Sequence, residues 1–219
     1  MNHQRLYGQH FLISEKIAQR IVQTARILNN DTIFEAGTGH GILTRIMAPL
    51  ARHVISVESD PTLYGDAQST LDKYDNITLL YGDAFEDYHT FNVFVSNLPY
   101  SHSRRAVEWM TSITFRSGVI MVQKEFAQKL TETGKTRRAI SVIWQEAFRI
   151  REQFDVGPHN FNPSPKVDSV VIYFEKTRTI SKDVIHRIHR LFSSRRRLVA
   201  GTHRRLDDMT SHEILNHVI

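Results

Sequence analysis

The chain has 219 residues, of which 41% are hydrophobic and 23% are charged, and it contains no cysteine. This composition is typical of a folded globular protein with a sizeable core, and it excludes a disordered or repetitive chain. Without cysteine, disulfides, iron–sulfur clusters and thiol-ligated zinc are also excluded. No apolar run approaches the roughly 18 residues that span a bilayer, and residues 1–11 lack the apolar segment of a signal peptide. We therefore expect a cytoplasmic protein that does not contact a membrane.

The positive charge is concentrated near the C-terminus. The chain carries 28 basic and 23 acidic residues, a formal charge of +5. Residues 176–219 hold ten basic and four acidic residues, a net charge of +6, so residues 1–175 carry −1. Such a segment favours a polyanionic partner such as nucleic acid, because each neutralised phosphate releases condensed counterions. A solvated helix face or a contact with anionic lipid would have the same composition.

Helical and extended patterns alternate through the first 130 residues. Ser14 can cap a helix whose apolar residues repeat at helical spacing as far as Leu28. Short runs of β-branched and aromatic residues predict strands at Thr32–Ala36, Val54–Glu58, Ile77–Tyr81, Val93–Asn97 and Val119–Val122. Helices are predicted between them, at Leu43–Ala51, Leu63–Tyr74 and Arg104–Thr111. The alternation predicts a doubly wound α/β fold with a mostly parallel sheet.

The pattern changes after residue 130. Ile140–Ile150 and Val170–Phe174 are predicted as two further strands of an antiparallel edge, separated by the Pro-rich loop Gly157–Lys166. From about Ser181 the chain is predicted to be helical and basic. We therefore expect a domain with a seven-stranded sheet over residues 1–178 and a small basic helical domain over residues 179–219.

Polar groups follow three successive predicted strands. The turn Gly37-Thr38-Gly39-His40-Gly41 follows the first, and its glycines permit positive φ and close approach of a ligand. Its G-x-G-x-G spacing differs from the dinucleotide fingerprint G-x-G-x-x-G. Glu58 ends the second strand and can accept hydrogen bonds from a ribose diol, while Asp83 follows the third and can accept one from an adenine amine. Together they predict a crevice for a nucleoside without pyrophosphate, such as S-adenosylmethionine.

The segment Asn97-Leu98-Pro99-Tyr100 follows the fourth predicted strand. The exocyclic amine of adenine is a poor nucleophile, because its lone pair is delocalised into the ring. The Asn97 side-chain carbonyl and the Leu98 backbone carbonyl can accept its two hydrogens, which favours a pyramidal nitrogen with its lone pair in line for methyl transfer. Pro99 fixes the turn and Tyr100 offers a stacking face. No strong base is needed, since the methylated ammonium is acidic.

At these positions the chain resembles the ribosomal RNA adenine dimethyltransferases. The resemblance rests on the segment 97–100 and on Gly8-Gln9-His10-Phe11-Leu12 near the start. Residues 123–130, Gln-Lys-Glu-Phe-Ala-Gln-Lys-Leu, and residues 161–169, Phe-Asn-Pro-Ser-Pro-Lys-Val-Asp-Ser, resemble two later motifs and favour the housekeeping branch. His10 stands where the family often has asparagine, and the C-terminal domain is shorter than usual.

The resemblance implies a Rossmann-like methyltransferase fold and a role for each matching residue. The residues implied to contact S-adenosylmethionine are His10, Leu12, Gly37, Gly39, Glu58, Asp83 and Asn97. Asn97 and Leu98 would supply the two acceptors, and Tyr100 and Phe161 would enclose the target base, which must leave its stack before it reacts. Contacts with RNA are expected from Arg104 and Arg105, which follow the Asn-Leu-Pro-Tyr segment, and from the basic run Arg195, Arg196 and Arg197.

These observations favour an enzyme, an S-adenosylmethionine-dependent dimethyltransferase acting on adenosines of small-subunit ribosomal RNA as a monomer. Three alternatives stay open. The chain could act mainly by binding the immature small subunit as an assembly factor, methylate large-subunit RNA as a resistance enzyme, or, less compatibly with its glycine spacing, use a nicotinamide cofactor. No metal site is expected, because His186, His189 and His203 have no matching carboxylate ligands and lie in a basic segment.

Overall fold

The structure is a computed structural model that describes residues 10–86, 89–193 and 204–219. Its chain forms two compact units. The first comprises the described residues of Met1–Ser103, Phe115–Lys124 and Ile150–Glu175, and the second those of Arg104–Thr114, Glu125–Arg149 and Lys176–Ile219. The expected boundary between two domains at residue 178 stays a prediction.

Strands and helices alternate along the described chain. The strands are β1 (Phe11–Leu12), β2 (Thr32–Ala36), β3 (His53–Glu58), β4 (Ile77–Tyr81), β5 (Val93–Asn97), β6 (Ser117–Gln123), β7 (Phe148–Val156), β8 (Phe161–Asn162) and β9 (Ser169–Lys176). The helices are α1 (Glu15–Thr24), α2 (Ile42–Met47), α3 (Pro61–Leu71), α4 (Ser103–Ser112), α5 (Lys124–Thr131), α6 (Ala139–Ala147), α7 (Lys182–Ser193) and α8 (Ser211–Val218). None of these helices is long and apolar enough to cross a membrane.

Seven strands form one sheet in the order β4-β3-β2-β5-β6-β9-β7. The pairs β2–β3, β3–β4, β2–β5 and β5–β6 are parallel, and β9 runs antiparallel to β6. The predicted mostly parallel seven-stranded sheet with an antiparallel edge is therefore confirmed. Strand β2 lies between β3 and β5. The strand order therefore reverses at β2, with β3 and β4 on one side of it and β5 and β6 on the other. In open α/β sheets, ligands bind outside the carboxyl ends of the strands at this kind of reversal.

The apolar residues of β2 explain its central position in the sheet. Strand β2 is buried along its whole length, as expected for a strand covered on both faces. Ile33 pairs with Val54 of β3 and with Val93 of β5, and none of the three is exposed. Ser14 caps helix α1 as predicted, and its hydroxyl accepts a hydrogen bond from the Ile17 amide.

One predicted strand is wrong. The segment Ile140–Ile150 does not form a single strand, because residues up to Ala147 form α6 and only the rest belongs to β7. The residues of α6 that are buried in the second unit are Ala139, Ile140, Ser141, Val142, Ile143, Trp144 and Ala147. A helix with so few exposed positions shows only a weak amphipathic period, so its β-branched residues resemble a buried strand in sequence.

Candidate active site

A cavity of about 170 Å³ opens at the carboxyl ends of β2, β3, β4 and β5 in the first unit. Its lining is drawn from the segments that follow these strands and from the N-terminal strand β1. Among the lining residues are His10, Leu12, Gly37, Gly39, Glu58, Asp83, Asn97, Leu98, Pro99 and Tyr100. The structure therefore places all of the expected cofactor and acceptor residues around one cavity.

The glycine turn after β2 presents backbone to this cavity. Gly37 and Gly39 have φ values of +83° and +54°, which favour glycine. The Gly37 amide donates to the Val57 carbonyl at 2.8 Å, which fixes the turn against β3. A Cβ atom at Gly37 would meet no atom within 4 Å. The absence of a side chain here leaves space that a ligand can use.

Glu58 is an organised acceptor at the end of β3. Its side chain is almost fully buried, and its Oε2 accepts from the Gly39 amide at 2.8 Å. Its Oε1 accepts from the amides of Ser59 and Asp60, each at 2.9 Å. Because a carboxylate offers about four acceptor positions, three backbone donors leave capacity for a ligand hydroxyl. The backbone donors also hold the carboxylate in one orientation.

Asp83 lies beyond β4, with Phe85 beside it. Asp83 Oδ1 accepts from the Phe85 amide at 2.9 Å, and Phe85 also lines the cavity. Sequence reasoning missed Phe85, since an aromatic two residues after the aspartate carries no motif of its own. An acidic acceptor next to an aromatic residue suits recognition of a purine.

Glu35, in β2, is a second residue of the cavity for which the sequence predicts no role. It lines the cavity although it is almost fully buried, and its Oε2 accepts from the hydroxyls of Thr44 at 2.5 Å and Ser56 at 2.6 Å. The Ser56 hydroxyl also contacts that of Thr38 at 2.6 Å. Burial raises the pKa of Glu35 from 4.5 to about 7, against these hydrogen bonds, which lower it. A glutamate inside an apolar strand is the one sequence signal that could have indicated it.

The Asn97–Tyr100 segment forms a turn directly after β5. The Leu98 amide donates to the Met121 carbonyl of β6 at 3.2 Å, which anchors the turn to the sheet. Asn97 Nδ2 donates to the His10 carbonyl at 3.4 Å, so its Oδ1 is the atom left to accept from a ligand. Tyr100 is partly buried, and burial raises the pKa of its phenol despite the opposing effect of its hydrogen bond with Ser169.

The N-terminal segment closes one side of the cavity. Strand β1 pairs antiparallel with β8, with Phe11 opposite Asn162 and Leu12 opposite Phe161. His10 Nδ1 donates to the Pro163 carbonyl at 2.8 Å. The Phe11 ring lies 4.6 Å from that of His40, centroid to centroid. The motif at residues 10–12 is thereby connected to the Pro-rich loop, a pairing that spans 150 residues of sequence.

Phe161 occupies a different position from the one expected. Its side chain is 4% exposed and belongs to the apolar core of the first unit. It is not among the residues that line the cavity, whereas Tyr100 is. The pairing of β8 with β1 places it opposite Leu12, which is buried in the same core. A contact between Phe161 and a base therefore requires the ring to leave this core, and its role stays a prediction.

Arg104 and Arg105, which are expected to contact RNA, are not among the residues that line the cavity. Arg104 and Arg105 are exposed residues of α4 in the second unit. Arg104 Nε donates to Glu108 at 2.9 Å, and its Nη2 donates to Nδ1 of His189 at 3.2 Å. Its charge is thus partly compensated. The basic run Arg195, Arg196 and Arg197 lies outside the residues that the structure describes.

Comparison with known proteins gives a consistent result. The family model of ribosomal RNA adenine dimethylases matches residues 1–217. The ribosomal RNA small subunit methyltransferase A of Thermotoga neapolitana is 36% identical over 173 residues, which cover 77% of this chain and 66% of that protein. The chain therefore spans slightly less than two thirds of the length of this curated relative.

Solved structures resemble the chain along most of its length. A dimethyladenosine transferase from Plasmodium falciparum has a TM-score of 0.76 and 26% identity, covering 87% of this chain and 73% of that one. The 23S rRNA methyltransferase ErmE has a TM-score of 0.68 and 28% identity, covering 84% and 77%. Both comparisons confirm the Rossmann-like methyltransferase fold.

Proposed function

This chain belongs to the ribosomal RNA adenine dimethylase family, and we propose that it dimethylates the exocyclic amine of adenosines in small-subunit ribosomal RNA. The observation that carries the proposal is the Asn97–Tyr100 turn, which lines the same cavity as Glu58 and Asp83. A nucleoside cofactor and a target adenine could therefore meet at one point. The immature small ribosomal subunit is the proposed partner, and the chain is proposed to act as a monomer in the cytoplasm.

The cavity fits S-adenosylmethionine by the chemistry of its donors and acceptors. The backbone of Gly37 faces open space that a Cβ atom would occupy, and a ligand can approach it there. Glu58 retains acceptor capacity for a ribose hydroxyl, and Asp83 can accept from the adenine amine. When bound, this cofactor supplies an activated methyl group. His10, Leu12, Gly39 and Asn97 complete the set of residues that we propose to contact it.

The residues of the turn would prepare the target amine for reaction. Asn97 donates its amide hydrogen to His10, so its Oδ1 can accept one hydrogen of the adenine amine. The Leu98 carbonyl would accept the other, from a backbone that β6 holds in place. Two acceptors favour a pyramidal nitrogen whose lone pair points toward the methyl group. The contribution of the protein is therefore positioning, and the product ammonium can lose its proton to water.

Tyr100 would hold the base that has left its stack. Stacking on an aromatic ring is worth about 1–3 kcal/mol per base, which offsets the cost of unstacking. Pro99 fixes the backbone before the ring. Phosphate contacts are proposed for Arg104, Arg105 and the run 195–197. For Phe161, we propose that its ring joins the site only when RNA binds.

The similarity to ErmE supports a second candidate, methylation of large-subunit RNA. The relative from Thermotoga favours the small subunit, because its name specifies it. A direct test offers labelled S-adenosylmethionine with small subunits that lack adenosine dimethylation, and in parallel with unmethylated 23S RNA. The RNA is then digested to nucleosides. Labelled dimethyladenosine from the small subunit alone is expected. Label in 23S RNA alone would favour the second candidate, and label in neither would favour an assembly factor.

A further inference from the structure

The hydroxyl of Tyr100 makes a contact that base stacking does not require. It shares a hydrogen bond of 2.7 Å with the hydroxyl of Ser169, the first residue of β9. The Ser169 side chain is fully buried. A phenylalanine would offer the same stacking surface without this bond. The phenol therefore has a second partner within the fold, on a strand that is separate from the one preceding the turn.

This hydrogen bond holds the far end of the ring. The backbone end of Tyr100 follows β5, where Asn97 is opposite Met121 of β6. Ser169 lies on β9, opposite Gln123 of the same strand β6. The ring therefore bridges two strands that flank β6. A residue restrained at both ends loses few conformations when a base stacks on it, so less entropy is lost on binding.

His10 restrains the same group of residues from the N-terminal segment. Its ring centroid lies 5.4 Å from that of Tyr100 at an interplanar angle of 37°. Its Nδ1 donates to the Pro163 carbonyl, and its own carbonyl accepts from Asn97. One residue thus contacts the stacking ring, the acceptor side chain and the Pro-rich loop. A carbonyl can only accept, so Nδ1 carries a proton in either charge state of the imidazole.

We infer that Ser169 and His10 are positioning residues, which hold Tyr100 and Asn97 in the orientation that receives the target adenosine before RNA binds. The inference rests on the proposed function. It also assigns His10 a different role from the cofactor contact that the family resemblance implies. Its ring supports Tyr100, the residue on which the base stacks, and any contact of His10 with the cofactor comes from its backbone.

The Tyr100–Ser169 contact can be tested with a double-mutant cycle. Tyr100→Phe and Ser169→Ala are each expected to lower kcat/KM for RNA about tenfold, which corresponds to about 1.4 kcal/mol. The double variant is expected to be no worse than either single variant, because both remove the same bond. The dissociation constant of S-adenosylmethionine is expected to change less than twofold. A purely structural bond would lower the melting temperature and leave kcat/KM unchanged well below it.

Ser117→Ala provides the matched control. Ser117 is a buried serine at the start of β6, and its Oγ has no hydrogen-bond partner among the described residues. This variant is expected to keep wild-type kcat/KM. If Tyr100→Phe keeps it as well, or if the losses of the two singles multiply in the double variant, the inference is overturned. A wild-type chain that transfers no methyl to RNA would overturn the proposed function and the inference with it.

His10→Ala tests the second positioning residue. It is expected to lower kcat/KM for RNA about tenfold while the dissociation constant of S-adenosylmethionine stays within about threefold. His10→Asn, with a side chain that keeps an N–H donor, is expected to recover part of the loss. Weaker cofactor binding with an unchanged RNA parameter would instead identify His10 as a cofactor contact and contradict its positioning role.

Discussion

The buried carboxyl of Glu35 should make the stability of the protein depend on pH. Its pKa is raised from 4.5 to about 7 by burial, so the folded chain keeps its proton where the unfolded chain has lost it. The folded state therefore binds more protons between these two values, and the free energy of unfolding must fall as pH rises through them. Above pH 7 the folded state holds a buried charge close to Glu58.

The size of the effect follows from the shift. The two pKa values differ by about 2.5 pH units, and each unit corresponds to about 1.4 kcal/mol. The group should therefore cost about 3 kcal/mol of stability between pH 4.5 and pH 7.5. Glu35→Gln provides a neutral side chain of the same size, and its carbonyl can still accept from Thr44 and Ser56. The variant should lack this dependence.

Urea unfolding of both proteins across this pH range measures the effect. Histidines and surface carboxylates titrate in both, so their contributions cancel in the difference between wild type and variant. We expect the wild type to lose about 3 kcal/mol relative to Glu35→Gln as pH rises. A difference that is constant with pH would refute the reasoning, because Glu35 would then have the same pKa in the folded and unfolded chains.

Two further predictions concern the cofactor cavity. Glu58→Gln places an amide hydrogen against backbone donors, so calorimetry should show at least about tenfold weaker binding of S-adenosylmethionine, and unchanged binding would contradict the role of Glu58. Gly37→Ala forces a side chain into left-handed backbone with φ of +83°, at a cost of about 1–2 kcal/mol. Its melting temperature and its cofactor affinity should both fall, and wild-type values of both would show that the turn tolerates a Cβ atom.

The site could be predicted where it depends on single strand ends. Gly37, Glu58, Asp83 and Asn97 each follow a strand that is visible from its β-branched residues, and parallel strands bring these ends to one edge of the sheet. The predictions at these positions needed only local patterns and one rule of topology. All four residues line the cavity.

Other features depend on contacts between distant parts of the chain. The pairing of β1 with β8 connects residues about 150 positions apart, and no local pattern encodes it. That pairing places Phe161 in the core, whereas the family resemblance implies a ring that encloses the target base. The bond between Tyr100 and Ser169 is of the same kind, since the register of β9 on β6 decides which residue faces the phenol.

Helix α6 shows a different limit. Six of its nine residues are apolar, and seven of the nine are buried in the second unit, where α7 and α8 also lie. Periodicity distinguishes helix from strand only for elements with one exposed face. The environment of α6 therefore weakens the periodic signal, and its β-branched residues favour a strand in the sequence.

The most direct test of the proposed mechanism is methyl transfer by Asn97→Ala, measured beside its cofactor affinity. The proposal assigns Asn97 to orienting the target amine, and Glu58, Asp83 and the glycine turn to most of the cofactor binding. The variant should bind S-adenosylmethionine within about tenfold of the wild type and lose most of its transfer to small ribosomal subunits. Full transfer by Asn97→Ala would contradict the account, because the reaction would then not depend on the acceptor at the end of β5.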